Sequence, residues 1–297
     1  MTMHAGQLDL SVDTVRALVG RQFPQWRALE LRPVPSPGTV NAVFRLGERL
    51  AVRLRLVGDD PSLVRAELEA EAAAMAEFAV VSPAPTPEPV AIGDPGAGFA
   101  LSWSVQTWVK GHDATQEDPA DSHSFAADLA HLVAALRAAP TLGRGFDGRG
   151  RGGSLPDHDA WLAECFARSE GLLDVDRLRA LWSELRRLPE ADETVMSHRD
   201  LTPPNLLVEQ GRLAGVLDTG GFGPADAALD LIVAWHLLAD GPRATFRSEL
   251  APTDLQWDRG RAWALQQAMG LVWYYAESNP TMSAWGRRTL GRLVASE

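Results

Sequence analysis

The sequence predicts an α+β fold in two lobes: a small antiparallel sheet with a helix first, then a larger, mainly helical lobe. Three observations carry that expectation. Period-two strand patterns crowd residues 28–56, an alanine- and glutamate-rich helix pattern follows at 61–78, and beyond Gly111 apolar residues recur at helical spacing. The 297 residues suffice for two lobes, and a 45% hydrophobic content can bury a core.

Taken in order, an amphipathic helix around residues 11–22 precedes the strand-like stretches "LELRPV", "VNAVFRL" and "LAVRLRL". Side chains alternate along a strand, so Leu50, Val52, Leu54 and Leu56 share one face of the third stretch, and Ala51, Arg53 and Arg55 the other. Asp60 followed by Pro61 supplies a cap and first turn for the helix that follows. "SPAPTPEP" at 82–89 runs extended, and "GFALSWSVQTWVKG" offers one or two further strands. A boundary near 108–112 divides the chain into an N-terminal lobe, 1–108, and a C-terminal lobe, 109–297. In the second lobe Phe125, Leu129, Leu132, Val133 and Leu136 form one helical stripe. The segment "GRGFDGRGRGGSLPDHD", 143–159, rich in glycine and charge, reads as a mobile loop beside a ligand opening. There are no internal repeats.

Acidic residues number 39 against 28 basic ones, for a net charge of -11, and no run of five or six Lys and Arg residues tracks a phosphate backbone. Nucleic acid is therefore not an expected partner. The acidity suits a cationic small molecule, and it equally serves solubility. Cys165 is the only cysteine, which excludes an intramolecular disulfide and a cysteine zinc cluster and points to the reducing cytoplasm. No secretory signal opens the sequence, and the longest apolar stretch, "AALDLIVAWHLLA", is broken by Asp230 and His236, so no membrane association is expected. Oligomeric state has no signature here.

Chemistry concentrates in "MSHRDLTPPNLLVEQGRLAGVLDTGG", 196–221. His198-Arg199-Asp200-Leu201, followed after three residues by Asn205, fits the kinase catalytic-loop pattern at every fixed position. Leu206–Val208, a turn at Gln210-Gly211 and Leu213–Leu217 then read as a hairpin that returns Asp218 beside Asn205. Phosphate transfer needs this chemistry: hard oxygens hold magnesium against the phosphate charge, and a carboxylate orients the acceptor hydroxyl. Asp200 takes the second role, Asn205 and Asp218 the first. The alternative is a polar hairpin whose Asp and Asn bond only their own backbone. Further matches favour the catalytic reading. "LAVRL" resembles the V-A-I-K strand at Ala51, Val52 and Arg53, where Arg53 is placed to meet phosphate. Glu71, one turn after Glu67, is the candidate helix partner of that arginine. In "PSPGTVNAVFRLG", Ser36, Gly38 and Thr39 offer backbone amides to phosphates.

With these segments, and with "PAPTPEPVAIG", "WSVQTWVKG" and "GVLDTGGFGPADAALDL", the sequence resembles the aminoglycoside phosphotransferase family over nearly its whole length. The resemblance implies a two-lobed protein-kinase-like fold and an enzyme that moves the terminal phosphate of ATP or GTP to an alcohol group of an antibiotic or another small molecule. It implies Asp200 as catalytic residue, Asn205 and Asp218 as magnesium ligands, and main chain around Gln106 to Trp108 at the nucleotide base. Departures are Arg199 where the family more often has Gly or Asn, Pro204 for Gly or Ala, and Thr219 for an aromatic residue. Asp226 and Asp230 are expected to brace the loop and the next helix.

A protein kinase is disfavoured, since Asp218-Thr219-Gly220 runs almost at once into "FGPADAALDLIVAWHLL", read as a helix, with no room for an activation segment ending in A-P-E. A P-loop is absent. The remaining alternatives are a macrolide or other small-metabolite kinase and a non-catalytic, kinase-like nucleotide-binding protein. Trp257, Trp263, Trp273, Tyr274 and Tyr275 suit a core more than a pocket at their helical spacing; if they line a cleft they favour a macrolide, whereas Asp157, Asp159, Asp240 and Glu277 would favour a polycation.

Overall fold

A computed structural model describes residues 10–34, 41–56, 60–191 and 193–295. The chain divides into two compact units. One takes the chain up to Val80, Pro85–Lys110 and the three residues Asp218–Gly220; the other takes Val81–Ala84, Gly111–Leu217 and the chain from Gly221 onward.

The first unit opens with α1 (Val12–Gln22), capped by Ser11, whose hydroxyl accepts from the Thr14 amide at 3.1 Å. Strands β1 (Leu31–Val34), β2 (Asn41–Leu46) and β3 (Leu50–Arg55) precede α2 (Pro61–Val81), and β4 (Pro89–Gly93) and β5 (Trp103–Thr107) complete the sheet. Its order is β1-β2-β3-β5-β4, and every pairing is antiparallel. The alternation predicted for β3 holds: Val52 and Leu54 enter a core with Val15, Leu18, Phe44, Leu68, Trp103 and Val105. Periodicity does not predict β4. It starts on a proline, which gives no N–H to the ladder, and its register slips between Pro89 and Ala91. At Gly93 an added Cβ would stand 2.2 Å from the Trp103 ring, so glycine lets β4 close on β5.

The second unit comprises β6 (His112–Asp113), α3 (His123–Ala138), α4 (Asp159–Arg168), α5 (Val175–Leu185), β7 (Thr194–Ser197), β8 (Leu206–Glu209), β9 (Arg212–Val216), β10 (Gly223–Asp226), α6 (Val233–His236), α7 (Asp240–Leu250), α8 (Asp254–Tyr274) and α9 (Pro280–Ala295). The five apolar residues of the α3 stripe are wholly buried. Helix α8 starts on a capping box, Thr253 with Gln256, and buries side chains nearly all round, so Trp257 and Trp263 belong to the core while Tyr274 is exposed. Beside the helices lie two small sheets, β6-β8-β9 and β7-β10.

Two expectations are corrected here. No helix follows Gly221 directly: β10 pairs antiparallel with β7, Ala225 opposite Val195, before a 3-10 turn at Leu229–Ile232 leads into α6. Gly223 and Pro224 are poor helix formers, and their buried segment satisfies backbone groups on β7 instead. The stretch 143–159 is likewise not all loop, since Leu155–His158 forms a 3-10 turn that continues into α4. Among the described residues no helix is long and apolar enough to cross a membrane.

Candidate functional site

The loop from His198 to Asn205 joins β7 to β8 and is fixed from beneath by two groups of its own unit. The buried Asp230 carboxylate accepts from the amides of His198 at 3.0 Å and Arg199 at 3.1 Å. Burial pushes its pKa up, and these backbone donors only partly oppose that. His198 Nε2 donates to the Leu217 carbonyl at 2.8 Å, and its Nδ1 accepts from the Asp200 amide at 3.2 Å, so a single neutral tautomer serves both bonds. Asp230 thus braces the loop as expected.

Asn205 closes the loop onto itself. Its Nδ2 donates to the Asp200 main-chain oxygen and to Asp200 Oδ2, both at 3.0 Å, with Thr202 Oγ1 at 3.3 Å. These are acceptors, so the amide nitrogen must face them and the oxygen, Oδ1, is turned elsewhere. The hairpin β8-β9 turns at Gln210 and Gly211, both at positive φ, and returns the chain so that the Leu217 amide donates to the Asn205 carbonyl at 2.7 Å.

Two further partners of Asp200 are not legible in the motif. Arg151 Nη2 lies 2.8 Å and Gln267 Nε2 2.7 Å from Oδ1, brought from 49 residues upstream and 67 downstream. The only sequence signals were the charged, glycine-rich setting of Arg151 and the paired amides Gln266-Gln267 in an otherwise apolar run. The Asp200 carboxylate stays open to solvent, with 38% of its side chain exposed. Arg151 is held from behind, because the Gly152 carbonyl accepts from the Asp226 amide at 3.1 Å and the Gly153 carbonyl accepts from Arg259. Gly152 has φ +117°, and a Cβ there would stand 2.9 Å from that of Ala225.

Arg199 also tethers this segment, through Asp147 at 3.2 Å and the Pro224 carbonyl at 2.7 Å. It does so at φ 70°, in the left-handed region that glycine and asparagine tolerate best. The backbone thereby accounts for the residue types the resemblance leads one to expect at this position. Arg199→Gly and Arg199→Ala lose the same guanidinium contacts, yet the glycine variant should be the more stable by about 1 kcal/mol in urea unfolding. Equal midpoints would show the strain is absent.

In the first unit, Arg53 Nη2 donates to Asp218 Oδ1 at 2.9 Å. The expected Arg53–Glu71 pair is not formed: Arg55 instead binds both Glu67 and Glu71. Arg53 and Arg55 point the same way but stand about 7 Å apart along the strand, so each reaches a different carboxylate. Burial alone would lower the Arg55 pKa, and the bonds and charges of the two glutamates outweigh it and raise the pKa. Glu71 packs against Gly220, where an added Cβ would come within 3.1 Å of its Cβ and Cγ. Gln106 on β5 faces Ala51 of β3, and the Trp108 amide donates to the Arg49 carbonyl at 2.8 Å. Asp218 sits at φ 55°, and half of its side chain is exposed. Asn205 and Asp218 belong to different units. Ser36, Gly38 and Thr39 lie outside the described residues.

The description "phosphotransferase enzyme family" belongs to the family model that matches residues 30–265. The chain is 34% identical over 153 residues to an aminoglycoside 3'-phosphotransferase of Streptomyces fradiae, covering 47% of this chain and 54% of that relative. It is 30% identical over 158 residues to the enzyme of that name from Streptomyces ribosidificus, covering 48% and 57%. The chain thus spans about half the length of the curated relatives it matches. Among solved structures, the GDP complex of aminoglycoside 2'-phosphotransferase-IIIa superposes with a TM-score of 0.70 at 16% identity, covering 97% of this chain and 99% of the other. A macrolide 2'-phosphotransferase of Brachybacterium faecium gives 0.62 at 18% identity, covering 94% and 98%. At such identities the likeness is one of fold.

Proposed function

The chain belongs to the phosphotransferase enzyme family, and from that premise we propose that it transfers the terminal phosphate of ATP or GTP to a hydroxyl of an aminoglycoside-like antibiotic. The observation that carries this reading is the state of Asp200: an open carboxylate on a braced loop, oriented by an amide whose own oxygen is left for another ligand. Asp200 receives the acceptor hydroxyl and takes its proton as the oxygen attacks.

The protein groups suit magnesium. Among the described residues no cluster of three or more His, Cys, Asp or Glu side chains is built to cage a metal. Magnesium asks for less, one or two hard protein oxygens with water and phosphate filling its octahedron. Asn205 Oδ1 and the Asp218 carboxylate are such donors. Bound there with nucleotide, the ion would neutralise charge on the transferring phosphate. Main chain at Gln106 and Trp108 takes the base, and the amides of Ser36, Gly38 and Thr39 the phosphates.

In this reading Arg53 exchanges Asp218 for phosphate when nucleotide binds, while Arg55 ties β3 to Glu67 and Glu71 on α2. Arg53→Ala should weaken magnesium-nucleotide binding about tenfold or more, as expected for a charge-assisted contact. Arg55→Ala should leave the intrinsic affinity within about threefold and act mainly on stability. Isothermal titration separates the two, and a larger affinity loss in Arg55→Ala would exchange their assignments.

One observation favours a second acceptor class. The Arg151 guanidinium on Asp200 places positive charge beside the reacting hydroxyl, which suits a macrolide-like acceptor with few amines better than a polycation. The test of the proposed function is a phosphotransfer screen with magnesium and each nucleotide against aminoglycosides, macrolides and simple sugars. Nucleotide binding without turnover of any acceptor would favour a non-catalytic, kinase-like protein.

A further inference from the structure

We propose that Gln267 is a positioning residue for Asp200, and that His236, through its Nε2–H, holds the Gln267 amide in the one orientation able to do so. The proposal rests on the reading of Asp200 as the group that receives the acceptor.

An ionised carboxylate only accepts, through about four lone-pair positions. Asp200 Oδ1 already receives Arg151 Nη2 and Gln267 Nε2, and Oδ2 receives Asn205 Nδ2. One position remains, on Oδ2, and there the acceptor hydroxyl is received. Because Gln267 turns its NH2 to Asp200, its Oε1 faces His236 Nε2 at 3.0 Å, and that nitrogen must carry the proton. Nδ1 is then bare, and the single Thr289 hydroxyl proton lies between it at 3.1 Å and the Trp285 carbonyl at 3.2 Å, so Thr289 permits this tautomer without fixing it. The other tautomer would set a nitrogen lone pair against the Gln267 oxygen. Reversing the amide to relieve that clash would set oxygen against the Asp200 carboxylate.

The chain of bonds is anchored in rigid structure. Gln267 projects from α8, His236 from α6 and Thr289 from α9, and His236 is buried with its ring 4.9 Å from that of Trp285. Burial holds the His236 pKa down at about 3, so the ring stays neutral at ordinary pH and has a single N–H to give. Arg151, by contrast, comes from a segment without regular structure. Gln267 is thus the partner whose position three helices determine, and a carboxylate fixed in rotation is what in-line attack requires.

Two measurements on the full chain test this. In 15N NMR of the histidine-labelled protein at pH 7, His236 should be the Nε2–H tautomer, and Asp200→Ala, which frees the amide to turn, should introduce the Nδ1–H form. An Nδ1–H ring in the wild type, or a tautomer indifferent to Asp200→Ala, overturns the proposal. In kinetics, with kanamycin as acceptor and water (nucleotide hydrolysis) as a second one, Gln267→Leu and His236→Leu should each lower kcat about tenfold or more with nucleotide KM within about twofold. His236→Asn, which can keep an N–H for Oε1, should restore most of kcat. Full kcat in Gln267→Leu, with Asp200→Asn inactive, rejects the positioning role alone. Full kcat in Asp200→Asn rejects the functional reading on which it rests.

Discussion

Asp200→Asn should reduce phosphate transfer by about 10²–10⁴-fold, the range a positioned general base supplies, while magnesium-nucleotide binding survives. The substitution changes one atom, and the hydrogen bonds say which. Arg151 and Gln267 both donate to Oδ1, so the asparagine keeps its oxygen there and places its NH2 where Oδ2 was. That is the atom inferred to receive the acceptor hydroxyl, and the new NH2 can neither take the proton nor accept the Asn205 donor 3.0 Å away. Asn205 keeps its bond to the Asp200 main-chain oxygen, so its side chain should remain near its place. Initial rates with each acceptor, beside calorimetric nucleotide affinity, check both halves. Transfer at the wild-type rate would refute the role given to Asp200.

What the sequence made legible is what short-range periodicity encodes. The alternation of Val52 and Leu54 in β3, the Asp60-Pro61 start of α2, the α3 stripe and the Gln210-Gly211 turn each depend on neighbours within a few residues. So does the Asp200–Asn205 bond, since a loop of that spacing closes on itself. Family resemblance extended this to the whole α+β architecture, and the solved structures of similar fold agree with it.

The rest depends on contacts with no period. Arg151 and Gln267 reach Asp200 only because β10 holds Gly152 and α8 carries Gln267 to the loop, and neither fact leaves a spacing to read. The strand pattern placed Arg53 and Arg55 on one face but could not decide which reached Glu71. That is settled by where α2 lies along the strand, and the answer was Arg55. β10 itself escaped notice because the four residues Gly223 to Asp226 are too few to show a strand period, and the apolar run after them outweighed the poor helix propensity of Gly223 and Pro224.

The largest stability loss should come from Asp226. Its Oδ2 accepts from Arg259 Nε at 2.8 Å, Arg259 Nη2 at 2.6 Å and Trp263 Nε1 at 2.8 Å, and Oδ1 accepts from the Ala228 amide at 2.9 Å. Both side chains of the ion pair are within 2% of full burial. Such a pair adds little over a well-packed apolar one, yet removing one partner strands the other's charge, so Asp226→Ala should cost about 3–5 kcal/mol in urea unfolding. The stranded Arg259 would keep only the Pro189 and Gly153 carbonyls. Replacing both, as Asp226→Leu with Arg259→Met, should recover most of that loss, whereas an additive double variant would show that no buried charge had been left behind. The same double variant separates bracing from contact with the acceptor. Asp226 is buried and grips the Gly152 carbonyl only through its main-chain amide, which the substitution retains. Arg259→Met gives up the 3.3 Å bond to the Gly153 carbonyl, but the Gly152 bond remains, so Arg151 should stay on Asp200 and acceptor KM should change little. A large rise in KM in the stably folded double variant, absent from Arg259→Met alone, would instead give the Asp226 carboxylate a part in holding the acceptor.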